Sequence, residues 1–327
     1  MNELPSTSHS HKLGEVAASE QLIRDLYLDL RRRTRLWANV TKQTAQARMG
    51  YIGQHLVSVA TGRPGGKSGA RGRDLVHADG TSGEIKTCYR VDQLGKCKVC
   101  GEGASPDDAE CAECGSAEII RKEDSKWLIS FSNEKDFSEL LIPTTYYLVL
   151  FDFTDLQRPD TIRASIWTVD PRHPGFVLCL VDYYNNIRAK SSSGAPFNLW
   201  PYSLKFELMS PSLIYQSLIK ADDTIETKLF PGRDAPFLHP MSPLPNHARS
   251  KVPDVVWRSV ASRLGGVSAT ANKKALLSTL EFHRSRPQNA QVDFARMIAQ
   301  EYYGPEVRRQ FNSLPTALRP AVEAALL

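Results

Sequence analysis

Two groups of side chains in this sequence have types and spacing that could do chemistry. The first is Cys97-x2-Cys100, ten residues, then Cys111-x2-Cys114. Each Cys-x2-Cys turn sets two thiolates on one side of a tight knuckle. Two knuckles close a tetrahedron of sulfur suited to Zn2+. Gly101 and Gly115 follow the second cysteine of each pair, where such knuckles turn. Four thiolates leave no open position, so the expected role is structural. An iron–sulfur cluster or a redox dithiol pair is the alternative. The second group is Asp74 with Glu84-Ile85-Lys86. On a strand, Glu84 and Lys86 share a face while Ile85 points into the opposite layer. A hairpin that brings Asp74 opposite would gather two carboxylates, the Ile85 carbonyl and an ammonium at one edge. Such oxygens hold a hard cation such as Mg2+. The cation polarises a phosphate and acidifies a water, which Lys86 can position or deprotonate. This is the equipment for metal-assisted phosphodiester hydrolysis. A Glu-x-Lys triplet also arises by chance on solvated hairpins, so the elements around it decide.

Those elements are legible in outline. A helix is predicted from Ser19 to about Trp37 and a second from about Lys42 to Ala60. A basic glycine-rich loop, Thr61 to Arg73, leads to Asp74. Asp79-Gly80 between two strand-like runs predicts a hairpin, with Gly83 to Tyr89 as its second strand. After the cysteines, Lys126 to Ser132 alternates as a strand and Glu134 to Leu141 reads as a short helix. Tyr146 to Phe153 is apolar apart from Asp152 and reads as a strand buried on both faces. Arg163 to Val169 continues with another, and further strands are expected at Gly175–Val181 and Ser203–Met209. The fold class is therefore α/β, a mixed central sheet flanked by helices.

Asp74 and Glu84-x-Lys86 in this order of elements resemble the PD-(D/E)XK nuclease superfamily. Within it, Gly50-Tyr-Ile-Gly-Gln-His-Leu56, Ser68-Gly-Ala-Arg-Gly-Arg-Asp-Leu75 and Gly83-Glu-Ile-Lys86 are similar to MamI-type type II restriction endonucleases. The resemblance covers about residues 40–170. It implies a restriction-endonuclease-like core and Mg2+-dependent cleavage of a specific double-stranded DNA site by a homodimer. Asp74 and Glu84, helped by the Ile85 carbonyl, would hold the cation, and Lys86 would act on the water. Arg73, rather than proline, precedes Asp74. Gln54 stands where many relatives place a glutamate on the preceding helix, and an amide adds no charge there. The four-cysteine zinc ribbon is inserted directly after the catalytic strand.

DNA contacts are expected from Arg63, Lys67, Arg71 and Arg73 on the glycine loop, where basic side chains can neutralise phosphate. Asn185, Asn186 and Arg188 could pair with base edges. The ribbon itself carries Glu102, Asp107, Asp108, Glu110, Glu113 and Glu118, which suits a clip better than a phosphate reader. Charge divides along the chain: +6 over residues 1–90, −8 over 91–160 and +7 over 161–327. The basic flanks could attract a polyanion.

With 327 residues, 41% hydrophobic and 24% charged, the chain is neither disordered, fibrous nor a membrane bundle. No signal peptide is read, and six cysteines are too few for a disulfide scaffold, so a cytoplasmic location is expected. The predicted organisation is an N-terminal arm and helix (1–40), a nuclease core (41–229) with the ribbon at 97–114, a proline-rich linker (230–253) and a helical C-terminal domain (254–327). Two other functions share these features: a repair or junction-resolving nuclease, and a non-catalytic zinc-ribbon DNA-binding protein.

Overall fold

A nine-residue run, Thr145–Phe153, forms the central strand in a computed structural model of the chain. The structure describes residues 12–41, 49–66, 73–105, 108–122, 124–130, 134–156, 159–190, 196–201 and 211–230. Scattered positions between 206 and 275, and 309–326 except 310, are also described. The expected linker at 230–253 beyond Phe230, most of the expected C-terminal helices, Lys67 and Arg71 lie outside these residues.

Helix α1 (Val16–Leu22) runs through a π-helical turn (Ile23–Leu28) into α2 (Asp29–Thr41). Then come α3 (Met49–Thr61), β1 (Leu75–Val76) and β2 (Ser82–Tyr89). The cysteine module holds β3 (Gly95–Cys97), β4 (Gly103–Ala104) and β5 (Ile119–Ile120). Next are β6 (Trp127–Ile129), α4 (Glu134–Glu139), β7 (Thr145–Phe153) and β8 (Ile162–Val169). They are followed by α5 (Pro174–Asn186), β9 (Phe197–Leu199), β10 (Ser212–Ile219), β11 (Ile225–Leu229) and α6 (Arg319–Leu326).

The main sheet has the order β1-β2-β7-β8-β10-β11. β2 and β7 are parallel and the other neighbours antiparallel, so the sheet is mixed as expected. β7 explains its own apolar run. Tyr146, Leu148 and Leu150 enter one core with α5, while Tyr147, Val149 and Phe151 enter the other with the π-helical turn and α3. Asp152, buried inside that run, lies opposite Arg163 of β8 and accepts its Nε at 3.0 Å. A buried carboxylate is tolerable only with such a partner.

Gly175–Val181 is corrected: it lies in helix α5, not a strand. Continuous apolar residues fit either element, and the ends decided it. His173 caps the helix by accepting the Gly175 N–H at 3.0 Å, and Pro174 occupies the first turn. Of Ser203–Met209, only Phe206 and Met209 are described, and neither is in a strand. The β10–β11 hairpin was not anticipated. The C-terminal segment packs inward, with Leu314, Leu318 and Val322 joining the α5 core.

Helix α3 touches β2 directly at Gly53. A Cβ there would sit 2.0 Å from Thr87 Oγ1. Gly53→Ala is therefore expected to destabilise the protein by about 1–3 kcal/mol through overpacking, against a helix-propensity gain of about 1 kcal/mol. Thermal unfolding measures it. Adding Thr87→Ala should recover part of the loss, and equal melting of all three proteins would contradict the close packing.

A second anchor ties α2 to the end of β2. Asp92, at φ 58°, accepts Arg31 Nη2 at 2.7 Å, Arg35 Nη2 at 2.8 Å and Tyr89 Oη at 2.9 Å. Burial pushes its carboxyl up, but the guanidinium groups overcome this and hold it below the usual carboxylate range. The chain thus leaves β2 for the cysteine module from a fixed point.

Candidate active site and metal centre

Three of the expected site residues meet at the edge of β2. Its neighbour β1 has two residues and pairs only through Leu75↔Gly83 and Val76↔Ser82. Beyond Gly83, Asp74 takes over from the strand backbone. Its Oδ2 accepts the Ile85 N–H at 2.8 Å, and its Oδ1 accepts Gln54 Nε2 of α3 at 3.2 Å. The N–H and C=O of one strand residue point to the same side. The Ile85 carbonyl therefore faces the same edge as Asp74.

Glu84 and Lys86 project from the other face of the strand, and Lys86 Nζ donates to Glu84 Oε1. Side-chain exposure is 12% for Glu84 and 26% for Lys86, so the pair is partly sheltered from water. Ile85 points into the opposite core, as alternation requires. A cavity of about 190 Å3 opens beside the pair. Asp136 and Glu139 of α4, Pro143 and Tyr146 also line it. Sequence reading missed these. They precede or begin β7, and only the parallel β2–β7 pairing brings Tyr146 beside Glu84. Burial pushes the Tyr146 phenol well above its ordinary value, and the nearby Glu84 and Asp74 carboxylates add to this. It remains a donor, to Leu140 O at 2.9 Å.

Asp74 and the Ile85 carbonyl at the edge of β2, and Glu84 on the same strand, are hard oxygen donors of the kind that suit a divalent cation of the Mg2+ type. Gln54 fits as an orienting amide for Asp74.

The four cysteines also come together. Their sulfur atoms all lie within 4.8 Å of one another. Cys97 and Cys114 are 3.6 Å apart, and Cys100 and Cys111 are 3.5 Å apart. A tetrahedron with Zn–S of about 2.3 Å has edges of about 3.8 Å, so the spacing fits. Backbone N–H groups of Cys100 and Val99 point at Cys97 Sγ and lower its thiol to about 6. Amides of Glu102 and Ser116 also point at Cys100 and Cys114, but burial and the neighbouring cysteine sulfurs outweigh them and hold those two thiols above their ordinary value. β3 pairs with both β4 and β5, so the module carries its own small sheet.

The expected DNA-contact residues are scattered. Arg63 is exposed and donates to Tyr147 Oη. Arg73 is exposed beside Asp74, and its carbonyl closes against Gly66, where a Cβ would meet it at 1.9 Å. Asn185 lies in α5, and it borders a cavity with Lys190 and Arg309. Asn186 ends that helix and Arg188 begins the next 3-10 turn.

The chain belongs to the MamI restriction endonuclease family, whose sequence model matches residues 36–245. That span contains Asp74, Glu84, Lys86 and all four cysteines. The type II restriction enzyme MamI of Microbacterium ammoniaphilum is 28% identical over 158 residues, covering 47% of this chain and 45% of that enzyme. The chain thus spans less than half the length of the curated relative it matches. No solved structure matches it. Among the described residues, no helix is long and apolar enough to cross a membrane.

Proposed function

We propose that this chain is a type II restriction endonuclease, hydrolysing phosphodiester bonds at a specific double-stranded DNA site with Mg2+. One observation carries the reading. In a member of this family, Asp74 binds the Ile85 backbone at the edge of β2, and Glu84 and Lys86 pair on the face of the same strand. Asp74, Glu84 and the Ile85 carbonyl would hold Mg2+, which when bound supplies Lewis-acid polarisation of the phosphate and a more acidic water. Gln54 holds Asp74 in place. Lys86 donates to a Glu84 oxygen, so its ammonium is fixed at the cleft, where it can position the water and offset negative charge on the phosphate. Tyr146, Leu128 and Ile129 exclude part of the solvent from that cleft. The four cysteines hold Zn2+ as a structural ion in a ribbon attached beside the site. Cutting both strands takes two such sites, so the active form is a twofold homodimer on DNA.

Incubation with a phage genome tests this reading. Discrete fragments are expected with Mg2+, none with EDTA, and fragments again once excess Mg2+ is restored. A smear would point to a repair or junction-resolving nuclease. Salt-sensitive binding without cutting would point to a non-catalytic DNA-binding protein.

A further inference from the structure

Lys86 lines two cavities of different character. Glu84, Asp136 and Glu139 line the first. The second, of about 320 Å3, is lined by Lys86, Lys126, Thr87, Ser125 and Leu128, and by the start of α3. None of its described lining residues is acidic.

The position of Lys126 follows from local structure. Trp127 is fully buried, and its indole N–H donates to Val149 O at 2.8 Å. Strand alternation then turns Lys126 and Leu128 to the outer side. Leu128 is 48% exposed, as this requires. β6 pairs with β9 in the register Trp127↔Leu199, which sets Lys126 beside Trp200. Phe197 and Leu199 are buried, so Trp200 shares the outer face. Lys126 Nζ lies 4.6 Å from the Trp200 ring centroid, a cation–π contact. A long side chain is thereby aimed. The result is two basic residues, Lys86 and Lys126, lining one open space whose described lining holds no carboxylate.

We propose that this cavity seats a backbone phosphate of the DNA, with Lys126 as the contact that positions the strand and Trp200 as the platform that aims it. The inference rests on the nuclease reading above. Phosphate contacts fix register on the duplex without reading sequence. Lys126 therefore sets where the strand lies relative to Lys86, not which site is chosen.

The test measures duplex binding by the full chain with Ca2+ in place of Mg2+, over a range of salt. Lys126→Ala is expected to weaken binding about tenfold, equally on cognate and unrelated duplexes. The slope of log affinity against log salt should shrink by about one. Lys126→Arg should keep most of both. Trp200→Phe should bind as the parent, and Trp200→Ala should shift toward Lys126→Ala. Thermal unfolding checks that each variant is folded, and Lys126→Ala decides alone if Trp200→Ala is not. Unchanged affinity and slope in folded Lys126→Ala would overturn the proposal. If Lys86→Ala cannot cut while Lys126→Ala binds as the parent, only this inference falls. If Lys86→Ala still cuts, the catalytic reading falls first.

Discussion

Lys86→Ala is expected to slow DNA cleavage by about 10²- to 10⁴-fold while leaving the protein folded and bound to DNA. Single-turnover cleavage at saturating enzyme measures the first part, and a salt titration of binding the second. The reason is local. Lys86 shares a strand face with Glu84, donates to it and borders the cleft, yet carries none of the core. Removing it deletes a charge and a proton carrier without opening a cavity in the sheet. Lys86→Arg separates the two roles. A guanidinium keeps its proton throughout the working pH range, so it restores charge but cannot take a proton from water. Recovery in Lys86→Arg would make the lysine a charge stabiliser. Failure would make it a proton acceptor. Cutting at the parental rate by Lys86→Ala would remove it from the mechanism.

Loss of the zinc proposed for the cysteine module is the second large effect expected. Structural Zn2+ contributes on the order of 10 kcal/mol to the folding of such small units. β3, β4 and β5 pair only with one another among the described residues, so little else holds the module together. Cys100→Ser is expected to lower bound zinc from one ion per chain to a small fraction. The segment from Gly95 to Ile120 should then become sensitive to protease. The six-stranded sheet should melt nearly as before, because its ladders end at Tyr89 and resume at Thr145. Metal analysis beside timed proteolysis reads both. A full zinc complement in Cys100→Ser, or iron in its place, would refute the assignment.

The parts of this architecture that could be read from sequence are those set by near neighbours. Asp79-Gly80 announced the hairpin, and strand alternation alone placed Glu84 with Lys86 and away from Ile85. The spacing of Cys97, Cys100, Cys111 and Cys114 announced their cluster. What was missed depends on distant pairing. Tyr146 joins Glu84 through a parallel ladder spanning the whole module, and Lys126 meets Trp200 through a ribbon closed across more than 70 residues. Helix α5 was misread because Phe-Val-Leu-Cys-Leu-Val is apolar on every side, and its cap at His173 was the signal overlooked. Asp152 looked like a flaw in a buried strand until Arg163 stood opposite it.

The hairpin from β1 to β2 has a consequence for how this chain can change. Asp74 reaches the Ile85 amide because Leu75 stands opposite Gly83. Turn length, not any one side chain, fixes that register. One residue added between His77 and Ser82 would keep Asp74, Glu84 and Lys86 in the chain and yet slide the first past the other two. The flanking ladder to β7 could not follow, since a one-residue slip would carry Ile85 into the cleft and Glu84 into the core. Substitution at this edge can be gradual, whereas a change of length there is all-or-none. The count of residues between Asp74 and Ile85 thus matters to the proposed site as much as the residues themselves.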